Sequence, residues 1–482
     1  MAEEVSPHWT AFHARREASA LSGRAHPVQR VPRYPTNNKQ ELFPILPLYR
    51  VSVYAVGLVT AAWPCAGVLL GRMLSVARAH RALVLLLFAS GSGSRVGQQF
   101  ARPPVFLVPG SLHSKLYLQA TGADGCPAAV TDANRTAETL YLNWTSLRPP
   151  RQACWIRRMS QKFDPTTSTY HAPPGVSVFA DVTTFNASEI PSVDPWTFPN
   201  ASSYEALLAA LRTVGYRDGQ NLLVAPYDWR QAPDQLDRYF ERLRSGIEEV
   251  RLFTGRKVVL LGHSAGPSVI LFFLARQPLW WKQRNVRSMV SLNGNLAGEI
   301  DCLENLWEGG DFLNPAAGVT VWDRVAYRRA QWTWGITAWC LPSPAIYGDQ
   351  HLVQIRNQSY SARTLPALFR AIGPEAAGTL GLIWPTVANL TDASTPPGVP
   401  TFCIAGTGVP TPVHYSFADG NLSNVPDVVF GSGDGQQDDR TNMACAGWPN
   451  STTRTFLGAN HDGLLSDPKL LAYLTDVVLV KE

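Results

Sequence analysis

Val258-Val-Leu-Leu-Gly-His-Ser-Ala-Gly266 opens with four apolar residues, turns on Gly262-His263-Ser264-Ala265-Gly266 and enters the apolar run 267–276. These residue types read as a buried strand, a tight turn and a helix. Pro267 suits the first helical turn, where its missing N–H is no loss. A G-x-S-x-G turn between a strand and a helix puts its serine on a strained corner, with the hydroxyl above the edge of a sheet. The flanking glycines give strand and helix room to cross, and the helix N-terminus favours negative charge developing on a nearby oxygen. Ser264 is therefore the candidate nucleophile, and the amide of Ala265 a candidate oxyanion donor.

Outward from this turn, strand-like runs at Val105–Val108, Leu222–Ala225 and Val286–Leu292 alternate with helical patterns at 204–216 and 234–252. Runs at Pro400–Ala405, Val428–Phe430 and Thr455–Leu457 resume the rhythm, and a further helix is expected over 468–475. Strands alternating with helices predict an α/β fold whose central sheet is mostly parallel and covered on both faces. Residues 124–200 and 299–400 break the alternation and read as insertions. A serine nucleophile needs an acid and a base, in the chain order Ser, acid, His. His461 is the histidine that lies late in the chain after a strand-like run. The loop after 428–430 offers Asp434, Asp438 and Asp439, with Asp434 nearest the end of that strand. The second oxyanion donor belongs to the loop after the first strand, Val108-Pro109-Gly110-Ser111, through Ser111 or Leu112.

Composition limits the setting. Of 482 residues, 45% are hydrophobic and 16% charged, which suits a large packed core and excludes a disordered or coiled-coil protein. The net charge of +5 does not mark a nucleic-acid binder. Residues 1–103 carry 12 basic and 4 acidic side chains, and the remainder carries 30 and 33. No two of the seven cysteines are close in sequence, so no zinc-type pairing exists. Sequons begin at Asn134, Asn143, Asn186, Asn200, Asn357, Asn389, Asn421 and Asn450. Chance predicts roughly two, so the excess points to a glycosylated lumenal or secreted domain. Within the leader 1–103, residues 51–71 are apolar, uncharged and long enough to span a bilayer. A basic stretch from Met73, the apolar 82–90 and small residues at 89–94 read as a cleaved secretory signal. Pro64 within 51–71 favours the second reading, in which residues 1–72 are absent from the mature protein. Either way, residues after about 100 reach an oxidising compartment, lysosome-like, vacuolar, endoplasmic-reticulum or extracellular, anchored in a membrane if 51–71 is kept.

Pro104–Leu112 (PVFLVPGSL), Ala225–Arg230 (APYDWR), Val258–Gly266, Pro400–Pro412 (PTFCIAGTGVPTP), Gly433–Asp434 and Asn460–His461 together resemble the lecithin:cholesterol acyltransferase and lysosomal phospholipase A2 family. The likeness covers about 104–480, and the Tyr-Asp-Trp-Arg string joined to a downstream G-H-S-x-G is its most specific part. It implies an α/β-hydrolase catalytic domain over 104–482 with lipid-contacting and lid insertions. It implies catalytic Ser264, Asp434 and His461, an oxyanion hole at Ser111 and Ala265, and no metal or organic cofactor. The resemblance also pairs Cys126 with Cys154 and Cys403 with Cys445. Cys302 and Cys340 then flank the lid position, and a third bridge is expected there. Trp144, inside the first disulfide loop, reads as a membrane-seating residue or as a Trp packed in a small insertion.

The resemblance has gaps. The family string Gly-Ala-Pro-Trp-Gly-Gly is replaced by Asn293-Gly294-Asn295-Leu296-Ala297-Gly298, and Gln436-Gln437-Asp438-Asp439 follows the acid, so a shifted acid stays open. The implied activity is serine-dependent acyl transfer from glycerophospholipids at a membrane or lipoprotein-like surface, to water or to a lipid hydroxyl such as a sterol. A membrane-anchored phospholipid:diacylglycerol acyltransferase and an inactive lipid-binding protein are the alternatives.

Overall fold

All four side chains of β1 (Val105–Val108) are buried, because the strand lies inside a sheet covered on both faces. The computed structural model describes residues 100–129, 137–141, 143, 146, 150–191, 203–308 and 323–480. The apolar segments 51–71 and 82–90, Trp144, Asn134 and Asn200 lie outside the described residues. The other central strands are β2 (Leu222–Val224), β3 (Val258–His263), β4 (Val286–Leu292), β5 (Thr401–Thr407) and β6 (Ser451–Leu457). They pair in the order β6-β5-β4-β3-β1-β2, every pair parallel. The fold is thus the α/β type with a parallel central sheet that the alternation of strands and helices predicts, and it agrees with the α/β-hydrolase fold that the resemblance implies.

Successive side chains of a strand point to opposite faces. Phe106, Val108, Val258, Leu260 and Met289 accordingly join one core, and Val105, Leu107, Val259, Leu261 and Val290 join the other. Helices α2 (Asp237–Thr254) and α3 (Gly266–Ala275) pack on the first face. Helices α1 (Ser203–Thr213) and α4 (Pro468–Tyr473) pack on the second. Burial on both faces is why these strands read as unbroken apolar runs rather than as alternating ones.

One strand departs from the expectation. Val428–Phe430 belongs to the strand Asp427–Gly433, which pairs antiparallel with Val409–Phe417 in a separate four-stranded sheet. Val429 and Phe430 are exposed, so the run is not a buried parallel strand. The chain leaves β5 through Gly408, whose φ of 78° turns it out of the central sheet. The hairpin that follows returns it at Asp434.

The first insertion holds the helix Gln152–Met159 and the sheet strands Glu138–Tyr141 and Val176–Phe179, which flank Leu116–Ala120. The second holds the helices Arg324–Trp332, Leu365–Ile372 and Pro374–Val387. Disulfides join Cys126 to Cys154, Cys302 to Cys340 and Cys403 to Cys445. Among the described residues, no helix is long and apolar enough to cross a membrane. The Cys403–Cys445 bridge closes a loop across 42 positions. Replacing both cysteines by serine is expected to lower the unfolding free energy by about 4 kcal/mol in guanidinium titrations, and a loss below about 1 kcal/mol would contradict this.

Candidate active site

Six parallel strands present all their carboxyl ends on one side, and the loops leaving those ends build the site. At the end of β3, Ser264 has φ 59°, in the left-handed region that a non-glycine residue rarely enters. Two hydrogen bonds hold it there. Its N–H donates to the Leu292 carbonyl at 3.1 Å, and its carbonyl accepts from Asn295 N–H at 2.8 Å. Helix α3 starts at once, and a Cβ on Gly266 would collide with the Val108 carbonyl, so the helix can begin there only as glycine. Ala265 is the N-cap of α3, so its amide stands outside the helical ladder.

The loop after β1 folds over this corner. A Cβ built on Gly110 would lie 2.7 Å from Ser264 Cβ and 3.2 Å from its Oγ, which measures how closely the loop backbone approaches the hydroxyl. Gly110 N–H is already committed to Tyr204 Oη at 3.0 Å. The remaining amides of the loop are those of Ser111 and of Leu112, which has φ 65°.

His461 follows β6, and its Nδ1 lies 2.8 Å from Asp434 Oδ2, both side chains being buried. The other carboxylate oxygen of Asp434 accepts from Gln436 and Gln437 N–H at 3.0 and 2.7 Å. His461 N–H donates to the Asp434 carbonyl at 2.8 Å, a second tie between the two loops. The other acids of the loop are engaged elsewhere. Asp438 caps the helix Asp439–Asn442 and accepts from Tyr347 Oη at 2.7 Å, and Asp439 accepts from Thr407 Oγ1 at 2.7 Å. Burial opposes a proton on His461, but Asp434, reinforced by Asp462 and Glu299, outweighs it and lifts the imidazole to about 9.

A chain of hydrogen bonds, absent from the sequence reading, ties these loops together. Tyr204 on α1 accepts from Gly110 N–H, and its own Oη lies 2.8 Å from His263 Nδ1. His263 Nε2 lies 3.1 Å from the His461 carbonyl. A carbonyl only accepts, so Nε2 carries the hydrogen and Nδ1 accepts from the tyrosine hydroxyl. Complete burial, with the neighbouring His461 and His113, holds His263 well below the usual imidazole range, in keeping with this neutral form. Asn293 Nδ2 donates to the same His461 carbonyl at 2.8 Å, while its Oδ1 accepts from Gly406 N–H at 2.7 Å. The departure from the family string at 293 thus has a structural use. Among the described residues, His263, His461 and Asp462 bring potential ligand atoms within 4.8 Å of one another. Both nitrogens of His263 and Nδ1 of His461 are already hydrogen-bonded, so the group does not form an open metal site.

The Tyr227-Asp228-Trp229-Arg230 string is a clamp. Trp229, fully buried, donates through Nε1 to the Ser114 carbonyl at 3.1 Å, just beyond the loop that carries Ser111. Arg230 is held by both oxygens of Asp228, at 2.9 and 2.7 Å, and points at the carbonyls of Arg158 and Met159 in the first insertion. A buried arginine with its carboxylate paired and its remaining donors satisfied fixes the insertion to the sheet. After β4, Asn295 Nδ2 lies 2.5 Å from Glu299 Oε1, and burial pushes the Glu299 carboxyl up to about 8. Of the described sequon asparagines, Asn186, Asn357, Asn389, Asn421 and Asn450 are exposed and Asn143 is partly buried.

The family model of lecithin:cholesterol acyltransferase matches residues 137–370. The chain is 31% identical over 407 residues to the human (Homo sapiens) protein named "Lysosomal phospholipase A and acyltransferase", covering 82% of this chain and 95% of that one. It is 29% identical to "Lecithin-cholesterol acyltransferase-like 1" of Oryza sativa subsp. japonica, over 78% of this chain and 86% of the relative. It is 27% identical to "Phosphatidylcholine-sterol acyltransferase" of Gallus gallus, over 72% and 82%. A parallel α/β sheet with a strained serine and a buried carboxylate–imidazole pair on loops at the same end, and near-complete coverage of a relative at this identity, lead to one conclusion: the chain belongs to the lecithin:cholesterol acyltransferase family.

Proposed function

We propose that the chain transfers acyl groups from glycerophospholipids through an acyl-serine intermediate, to water as a phospholipase A or to a lipid hydroxyl as an O-acyltransferase. The observation that carries this reading is the buried Asp434–His461 hydrogen bond at 2.8 Å, at the same end of the sheet as Ser264. The His461 ring lies 4.8 Å, centroid to centroid, from that of His263, the residue before the serine. His461 removes the Ser264 proton as the hydroxyl oxygen attacks the ester carbonyl, and Asp434 holds the imidazole and stabilises its charged form. The amides of Ala265 and Ser111 receive the oxyanion, and His461 returns the proton to the departing lysolipid oxygen. Water or a lipid alcohol, deprotonated by His461, then takes the acyl chain. The loop enclosing Trp144, closed by the Cys126–Cys154 bridge, seats the site on the lipid surface.

Three disulfides and five exposed sequon asparagines support an oxidising, glycosylating compartment of the secretory pathway. Deglycosylation of the secreted protein with an amidase is expected to remove several glycans, readable as a stepwise mass loss, whereas an unchanged mass would reject the reading.

On phosphatidylcholine liposomes containing a lipid alcohol, the wild type is expected to release lysolipid together with free fatty acid or acylated alcohol. Ser264→Ala should abolish all of these products, and equal turnover by the variant would refute the serine mechanism. Asp434→Asn should reduce kcat about 10,000-fold. His461 acts as base only when neutral, so the rate rises with pH through its pKa. Asp434 raises that pKa, and the residual activity of Asp434→Asn should therefore show its low-pH limb displaced to lower pH.

A further inference from the structure

We propose that His113 and Asp462 are positioning residues: a proton on His113 Nε2 closes a bridge between the oxyanion loop and the loop of His461, alongside the permanent bridge through Tyr204 and His263. The proposal rests on the acyl-transfer reading above for its effect on rate, though not for the bridge itself.

The geometry fixes the protonation logic. His113 Nδ1 lies 2.8 Å from the Ser111 carbonyl, which can only accept, so Nδ1 carries a hydrogen. A neutral imidazole then presents a bare lone pair at Nε2. That atom faces Asp462 Oδ1 at 3.9 Å, so two acceptors confront each other. Asp462 Oδ1 is itself buried and has no hydrogen-bond partner among the described residues. A second proton on the ring supplies the missing donor and turns the confrontation into a charge-assisted hydrogen bond, with Nε2 and Oδ1 closing by about 1 Å.

The surroundings place this pair among the catalytic loops. The His113 ring packs 4.9 Å from that of Tyr204 on α1 and 6.1 Å from that of His263 on β3. The titratable groups facing it are Asp462 and His461, both after β6, with Tyr204 and His263. Burial holds its pKa below the usual 6.5, Asp462 counters that, and charge on His461 adds to the lowering. The bridge therefore closes on the acid side of neutrality. Anchoring the Ser111 carbonyl fixes the peptide plane on one side of the Ser111 Cα, next to the plane that carries the Ser111 N–H, the proposed oxyanion donor. A charged His113 also disfavours a proton on His461, which works against the pull of Asp434.

Two measurements on the full chain test this. The first is the labelling rate of Ser264 by a fluorophosphonate at pH about 4.5 and about 8, in wild type, Tyr204→Phe, Asp462→Asn and the double variant. Tyr204→Phe cuts the permanent bridge, so its loss relative to wild type is expected to be about tenfold greater at the higher pH, where the His113 bridge is open. In the Asp462→Asn background this pH dependence should vanish or reverse, because the new carboxamide donates to neutral Nε2. The second is the NMR titration of the His113 imidazole in Ser264→Ala, where Asp462→Asn should lower its pKa by about half a unit or more. Loss of labelling in wild type with that NMR shift intact would sink the acyl-transfer reading and keep the bridge. Normal wild-type labelling, a Tyr204→Phe loss equal at both pH values and an unmoved His113 titration would overturn the bridge. Should Tyr204→Phe fail to fold, the NMR shift decides alone.

Discussion

One backbone carbonyl, that of His461, accepts hydrogen bonds from both His263 Nε2 and Asn293 Nδ2, at 3.1 and 2.8 Å. The residues that meet there leave the ends of β3, β4 and β6, three strands of the parallel sheet. Each donor is anchored in turn, His263 by the Tyr204 hydroxyl and Asn293 by Gly406 N–H at the end of β5. The imidazole that faces Asp434 is thus held from its own main chain rather than by packing alone. Buried polar networks of this kind are worth having only when every member is satisfied, and this one is.

The strained corner at Ser264 needs the same support. A side chain at positive φ persists only where its surroundings over-determine it. Here the Leu292 carbonyl, Asn295 N–H and the overlying Gly110 all press on one residue. The loop that carries Gly110 is fixed at its far end by Trp229, so a motif distant in sequence from the serine sets the height of the roof above it.

Much of this was legible in the chain. Val258–Gly266 betrays itself because a doubly covered parallel strand is apolar at every position and the turn after it demands small residues. Asp434 is set apart from Asp438 and Asp439 by its place at the end of a strand and by the resemblance at Gly433–Asp434; in the structure Asp434 meets His461, while the other two serve a helix cap and Thr407. Val428–Phe430 misled because three apolar residues read alike on an exposed edge strand and in a buried one. Tyr204, His263, Asn293 and His113 were invisible as a set, because each is ordinary alone and they meet only through loops far apart in sequence. His263 stood inside the motif, and Asn293 in the departure from the family string, so both were in view without a partner to explain them.

The Cys403–Cys445 bridge ties β5 to the loop that begins at Asp434 and passes through the helix Asp439–Asn442. With these thiols reduced the chain lacks that strap, and the loop of Asp434 is tethered by hydrogen bonds alone. Oxidation of these thiols therefore adds a covalent strap between the sheet and the loop that carries the buried carboxylate, so the thiol state of two residues remote from Asp434 bears on how firmly that carboxylate is held.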